Sequence, residues 1–156
     1  MHYIIDGYNL TFNIPNKSGV LEDNRREVLN GLKTVFSGSE CDLTIVFDGK
    51  GPDISFESFH LIQVIFTPGK MSADDYILEV VSVSLHPSRI TVVSSDKNLN
   101  RQCKYYGANI LPIKEFLRWI KKKSFKKHKQ TNFDFQDSKQ NIERLNEIFE
   151  KRLKES

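Results

Sequence analysis

Short apolar runs recur along this chain, and several of them stop at an aspartate. Strand-like runs lie at His2–Asp6, Leu43–Phe47, His60–Thr67, Arg89–Ser94 and Asn109–Leu111. The third is rich in β-branched and aromatic residues, as strands are. Between them the apolar positions change period. Val28, Leu32, Val35 and Phe36 share one face of a helix expected from about Glu22 to Phe36, and Ile77, Val80, Val81 and Leu85 share one face of a helix that begins near Ala73. Shorter helices are expected over Lys97–Tyr106 and Lys114–Lys122. Strands alternating with helices predict βαβ crossovers: an α/β fold with a central, mainly parallel sheet of about five strands and flanking helices. Thr11–Leu21, with Pro15, Asn16 and Gly19, and Gly49-Lys50-Gly51-Pro52 read as loops, the class of segment from which active-site lids are drawn.

The pattern weakens after Ile120. A lysine-rich run, Lys121 to Lys129, leads into a polar stretch from Gln130 to Phe135. Asp137-Ser138-Lys139-Gln140 then resembles a helix cap, and Ile142, Leu145, Phe149 and Leu153 follow at helical spacing. The expected organisation is a body over 1–120 and a basic, helical C-terminal extension over 121–156, whose last helix docks on the body or on a partner. No internal repeat is present.

Charge sharpens that division. Residues 1–120 carry 12 Lys/Arg and 14 Asp/Glu, while residues 121–156 carry 11 and 6, so a mildly acidic body joins a basic tail. This balance suits an acidic pocket beside a surface that grips a polyanion. No apolar run approaches the ~20 residues needed to span a bilayer. No basic, apolar leader precedes the first strand, so no signal peptide is expected and the cytoplasm is the expected compartment. Cys41 and Cys103 form no CxxC or Cys/His cluster and read as reduced thiols, and the four scattered histidines argue against zinc.

The candidate chemistry lies where the apolar runs end. In an open parallel sheet, loops at the carboxyl ends of the strands line the ligand crevice, so acids from separate strands meet there. Asp6, Asp48, Asp74 with Asp75, and Asp96 occupy such positions. Clustered carboxylates repel unless a cation neutralises them, and hard oxygen donors suit Mg²⁺ or Mn²⁺. Each aspartate also has a structural reading. Asp6 is either a turn residue or a ligand, and Asn9, three positions on, favours the ligand. Ser72 and Asp75 form a capping-box-like pair, which accounts for Asp75 better than for Asp74. Asp96 is a ligand, a helix cap, or both. Asp48 precedes Gly49 and stands equally between turn and ligand.

Two further segments are weaker. Gly69-Lys70-Met71-Ser72 superficially matches the end of a P-loop, but Val64 stands where the first glycine is required. Lys70 remains a candidate phosphate contact at the pocket rim or a solvated lysine. Lys121, Lys122, Lys123, Lys126 and Lys127, with Phe125 and Trp119 nearby, offer phosphate contacts and base stacking, against the reading of a solvated helix end.

Taken together, Ile5-Asp6-Gly7-Tyr8-Asn9-Leu10, Val46-Phe47-Asp48, Ile65-Phe66-Thr67 followed by Ser72-Ala73-Asp74-Asp75, and Thr91-Val92-Val93-Ser94-Ser95-Asp96 resemble the YacP-like NYN family of PIN-like ribonucleases. The resemblance covers about residues 1–120. It implies a PIN-like (Rossmann-like) three-layer sandwich, with 1–120 the nuclease domain, and Mg²⁺- or Mn²⁺-dependent cleavage of single-stranded RNA. It also implies a role in RNA turnover near translation, with RNA and the ribosome as partners. It places catalytic carboxylates at Asp6, Asp74 and Asp96, with Asp48 and Asp75 supporting and Asn9 in the first-strand signature. The alternative from another class is an RNA- or ribosome-binding module with an idle pocket. A small-molecule phosphohydrolase is a third reading, but it leaves the lysines unexplained.

Overall fold

The computed structural model describes residues 1–13, 30–36, 41–49, 51, 53–59, 62–128 and 143–151. Its elements run β1 (His2–Asp6), α1 (Gly7–Asn13), helical residues 30–36 (α2), β2 (Asp42–Phe47), β3 (Ser55–Phe59), β4 (Ile62–Phe66), α3 (Ala73–Val83), β5 (Ile90–Val93), α4 (Lys97–Tyr105), β6 (Asn109–Leu111), α5 (Ile113–His128) and helical residues 143–151 (α6). The strands form one sheet in the order β3-β4-β2-β1-β5-β6. Five are parallel, and β3 pairs antiparallel with β4 at one edge.

Alternation along the strands builds two cores. Ile5, Ile45, Phe47, Val64 and Val93 face one layer, packed with Leu10, Leu32, Phe36, Phe116, Ile120, Leu145 and Phe149. Ile4, Val46, Ile65 and Val92 face the other, packed with Ile77 and Val81 of α3 and Leu99 and Cys103 of α4. Burial on both faces is why these strands read as continuous apolar runs. The result is the expected three-layer α/β sandwich with a mostly parallel sheet.

The sheet order positions the site. From β1 the chain builds outward through β2 and β4 on one side, then crosses by way of α3 to β5 and β6 on the other. The direction of winding therefore reverses between β1 and β5, and crevices form at the carboxyl edge of such a reversal.

Several expectations are corrected. The sixth strand, β3, was not expected: an edge strand of five residues carries no long apolar run. Thr11–Asn13, expected as the start of a loop, completes α1 instead. The Thr11 hydroxyl bonds the carbonyls of Gly7 and Tyr8, and Asn13 Nδ2 bonds the Asn9 carbonyl, so these polar residues turn back on their own helix. The helix expected over Lys114–Lys122 runs to His128, because lysine is a good helix former and nothing in the run stops it. Residues 14–29 and 129–142, with the start of the helix expected from Glu22, the remainder of the first loop and the cap at Asp137, lie outside the described residues. Leu145 and Phe149 are buried in the first core. Among the described residues, no helix is long and apolar enough to cross a membrane. Neither Cys41 nor Cys103 is in a disulfide.

Candidate active site

Asp6 closes β1 and caps α1. Its Oδ1 accepts from the backbone N–H of Tyr8 (3.1 Å) and Asn9 (3.4 Å), while Oδ2 accepts from Asn9 Nδ2 (2.8 Å). The cap satisfies amides that a helix start leaves orphaned. Only 5% of Asp6 is exposed, and burial raises its pKa against the pull of the Asn9 and Tyr8 hydrogen bonds; the Asp48 charge raises it further. Gly7 is demanded here by space, since a Cβ would stand 2.5 Å from the Phe47 ring. Gly7 is the first residue of α1.

Asp96 repeats the device at β5. Its Oδ1 accepts from the N–H groups of Asn98 (2.9 Å) and Leu99 (3.2 Å) as the cap of α4. Those amides, Leu99 foremost, hold its pKa below the usual carboxylate range. Asp74 sits in the first turn of α3, behind the Ser72 cap, whose Oγ accepts from Asp75 N (3.1 Å). Its pKa is pushed up to about 7, by burial first and then by the charges of Asp6 and Asp96, and its carboxyl lies within hydrogen-bonding reach of both. Three acids from two strand ends and one helix start thus converge at the reversal between β1 and β5.

The remaining candidates fall around this centre. Asp48 Oδ1 accepts from the Ala73 N–H and so anchors the first turn of α3, one residue before Asp74. Asp75 is exposed, and its N–H belongs to the cap. Lys70 is exposed on the turn between β4 and α3, at the acid edge. Lys121, Lys122 and Lys123 of α5 are not brought to the acids. Trp119 stacks on Tyr3 (5.6 Å) near the opening of β1, the strand whose far end is Asp6, and Lys123 Nζ lies 4.8 Å over the Trp119 ring. Lys121, Lys122 and Lys123 therefore begin at the opposite end of the sheet. The side chains of Lys126 and Lys127 lie outside the described residues.

A family model described as a YacP-like NYN domain matches residues 3–156. The chain belongs to the YacP-like NYN domain family. Membership makes it a nuclease-like, RNA-related domain. Two crystal structures of Rae1 (YacP) from Bacillus subtilis share its fold. One, a tryptophan-to-leucine mutant, has a TM-score of 0.64 and 20% identity, covering 90% of this chain and 89% of that chain. The other has a TM-score of 0.64 and 22% identity, covering 83% and 79%. No curated protein matches the chain in sequence.

Within this NYN domain, two residues missed from the sequence tie the site together. Ser94, fully buried, accepts at Oγ from Asn9 Nδ2 (3.2 Å) and from Asp96 N (3.0 Å), so one hydroxyl couples the Asp6 and Asp96 segments. Thr67 Oγ1 donates to the Met71 carbonyl (2.8 Å) and accepts from Gly49 N (3.3 Å), fixing the Asp48 loop against the approach to α3. A Cβ at Gly49 would collide with the Thr67 carbonyl. The Ser-Ser-Asp run and the Thr after β4 were visible as matching segments, but their hydroxyl partners are distant in sequence.

The donor set fits a hard divalent cation. Asp74 stands against both Asp6 and Asp96, and a proton on Asp74 or a cation relieves the repulsion. Among the described residues, no group of three or more His, Cys, Asp or Glu side chains forms a ready-made metal cage. Mg²⁺ does not require one, since it is usually held by one or two carboxylates with waters and substrate phosphate.

Proposed function

We propose that this NYN domain is a metal-dependent endoribonuclease acting on single-stranded RNA. The observation that supports it most is the meeting of Asp74 with both Asp6 and Asp96 at the carboxyl edge, within a nuclease-like family. Asp6, Asp74 and Asp96, with Asp48 behind them, are the residues that would hold Mg²⁺ or Mn²⁺. Bound there, such an ion supplies charge neutralisation at the phosphate and acidifies an attacking water.

The chain's own contribution is orientation. Asn9 pins Asp6 Oδ2, and Ser94 fixes Asn9 relative to the Asp96 backbone. Asp48, Ser72 and Asp75 hold the first turn of α3, which aims Asp74. Among the described residues, His2 and His86 line a cavity of about 520 Å³ at the amino edge, with Met1, Asp42 and Arg89, so neither reaches the acids as a general base. Lys70 at the rim and Lys121, Lys122, Lys123, Lys126 and Lys127 on α5 are the cations offered to the RNA backbone. The substrate this reading favours is mRNA in the cytoplasm, with the ribosome as second partner; residues 1–120 would hold the nuclease domain and 121–156 the basic extension.

The second reading is an RNA- or ribosome-binding module with an idle pocket, which the same family membership and exposed lysines also suit. A circular single-stranded RNA separates the two, because only an endonuclease opens it. Linearisation that requires Mg²⁺ or Mn²⁺, and is lost in Asp74→Asn, supports the nuclease. Tight binding without cleavage at any Mn²⁺ concentration supports the module. Turnover of a simple phosphate ester with no RNA affinity overturns both.

A further inference from the structure

α4 begins at Asp96 and runs down the side of the molecule. Leu99 and Cys103 are its buried residues. Lys97, Arg101, Lys104 and Tyr105 follow one another at spacings of four, three and one, which at 100° per residue places all four on the ridge opposite that buried face. All four are exposed, and no acid occurs anywhere in α4. Within a body that carries more acids than bases, this is a cationic strip. Arg101 Nη2 donates to Asn98 Oδ1 (2.8 Å), which holds the guanidinium back toward the Asp96 end. Among the described residues, none of the three cations pairs with a carboxylate. At the far end Tyr105 is 84% and Tyr106 44% exposed, with ring centroids 5.3 Å apart and edge to face.

From these observations, and resting on the ribonuclease reading above, we infer that the outer ridge of α4 is the track for single-stranded RNA on one side of the cleavage site. Lys97, Arg101 and Lys104 meet successive phosphates, and Tyr105 stacks a base. Lys97 to Tyr105 spans about 12 Å, roughly three nucleotides at stacked spacing. Cationic residues that follow a backbone, ending in an aromatic platform, are the general means of holding a single strand without reading its sequence. Lys121, Lys122 and Lys123 of α5 lie on the other face of the sheet, at its amino edge. They do not supply this track.

The test is fluorescence anisotropy of a single-stranded RNA, about 15 nucleotides long, in Ca²⁺ buffer, with the salt concentration varied. Lys97→Ala/Arg101→Ala/Lys104→Ala is expected to flatten the slope of log affinity against log salt by about 2, at roughly 0.7 for each phosphate no longer neutralised. Tyr105→Ala is expected to weaken binding about tenfold, and Tyr105→Phe to restore it, because stacking needs the ring and not the hydroxyl. Ultraviolet crosslinking of wild type should label the α4 peptide. Shortening the RNA by about three nucleotides on the tracked side should abolish the difference between wild type and the triple variant. If wild type binds and cleaves RNA but the triple variant keeps its slope, this inference falls and the ribonuclease reading stands. If wild type ignores RNA yet binds an acidic peptide such as polyglutamate, both fall, and the ridge takes an acidic protein.

Discussion

The two edges of the sheet are built from opposite materials. The carboxyl edge gathers Asp6, Asp48, Asp74 and Asp96, with their charges held in tension by helix amides, Asn9 and Ser94. On the first-core face the amino edge gathers rings: Tyr3 packs on Phe36 (5.5 Å), Phe116 (6.3 Å) and Trp119 (5.6 Å). One edge gives up stability to bring like charges together, and the other supplies it. The comparison explains why a buried acid and a half-buried ring occur on the same strand, only three residues apart.

Removing a ring should expose the stabilising edge most clearly. Phe116→Ala deletes a fully buried side chain and is expected to cost about 3–5 kcal/mol in chemical denaturation. Single-turnover cleavage by the molecules that remain folded should be unchanged; a comparable loss of rate would break the division between edges.

The converse substitutions act mainly on chemistry. Asp6→Asn, Asp74→Asn and Asp96→Asn are each expected to lower single-turnover cleavage at least about 100-fold, with the circular dichroism spectrum retained. The conservative control is Asp75→Asn, whose cap contribution comes from its backbone N–H, and a decrease of less than about tenfold is expected.

A smaller effect should reveal the electrostatic tension directly. The folded pKa of Asp74, about 7, lies above its ordinary value of 3.8, so between those values the native state holds a proton that the unfolded chain has lost. Stability without metal therefore falls as pH rises from about 4 to about 7. Asp74→Asn should remove that loss, stabilising the protein at pH 8 in EDTA by about 1 kcal/mol after allowing for solvent screening, and by almost nothing at pH 4. Thermal melts at the two pH values measure it. Equal melting shifts at both would mean that the acids are not in tension.

The least expected change in rate comes from the lysines of α5. Lys121→Ala/Lys122→Ala/Lys123→Ala should leave cleavage of a saturating short RNA within about twofold of wild type. On long RNA it should flatten the salt slope by about 0.7 for each lysine that had neutralised a phosphate. A collapse of the single-turnover rate would bring these lysines to the reacting strand and erase the distinction between edges.

Most of the sheet was legible from sequence because a strand buried on both faces must be apolar throughout, and its end is marked by the first polar residue. That is how Asp6 stands out, and how Ser94 marks the end of β5 two residues before Asp96. The first turn of α3 was legible as well, since Ser72 and Asp75 satisfy a capping rule confined to four neighbouring residues. Less legible were features whose causes lie across the fold: the antiparallel edge strand β3 and the partners of the Ser94 and Thr67 hydroxyls.

The amino-acid pattern by itself determined the layers, the parallel strands and the acids available at their ends, because periodicity and burial are local properties of the chain. Only the tertiary structure decided which acids meet. The reversal at β1 and β5 brings Asp6 beside Asp96, the α3 crossover delivers Asp74 to both, and α5 carries Lys121, Lys122 and Lys123 to the far edge. Those placements follow from strand order and helix length. A Coulomb interaction depends on distance in space, and distance in space between segments 22 to 90 residues apart is written in packing rather than in any one segment.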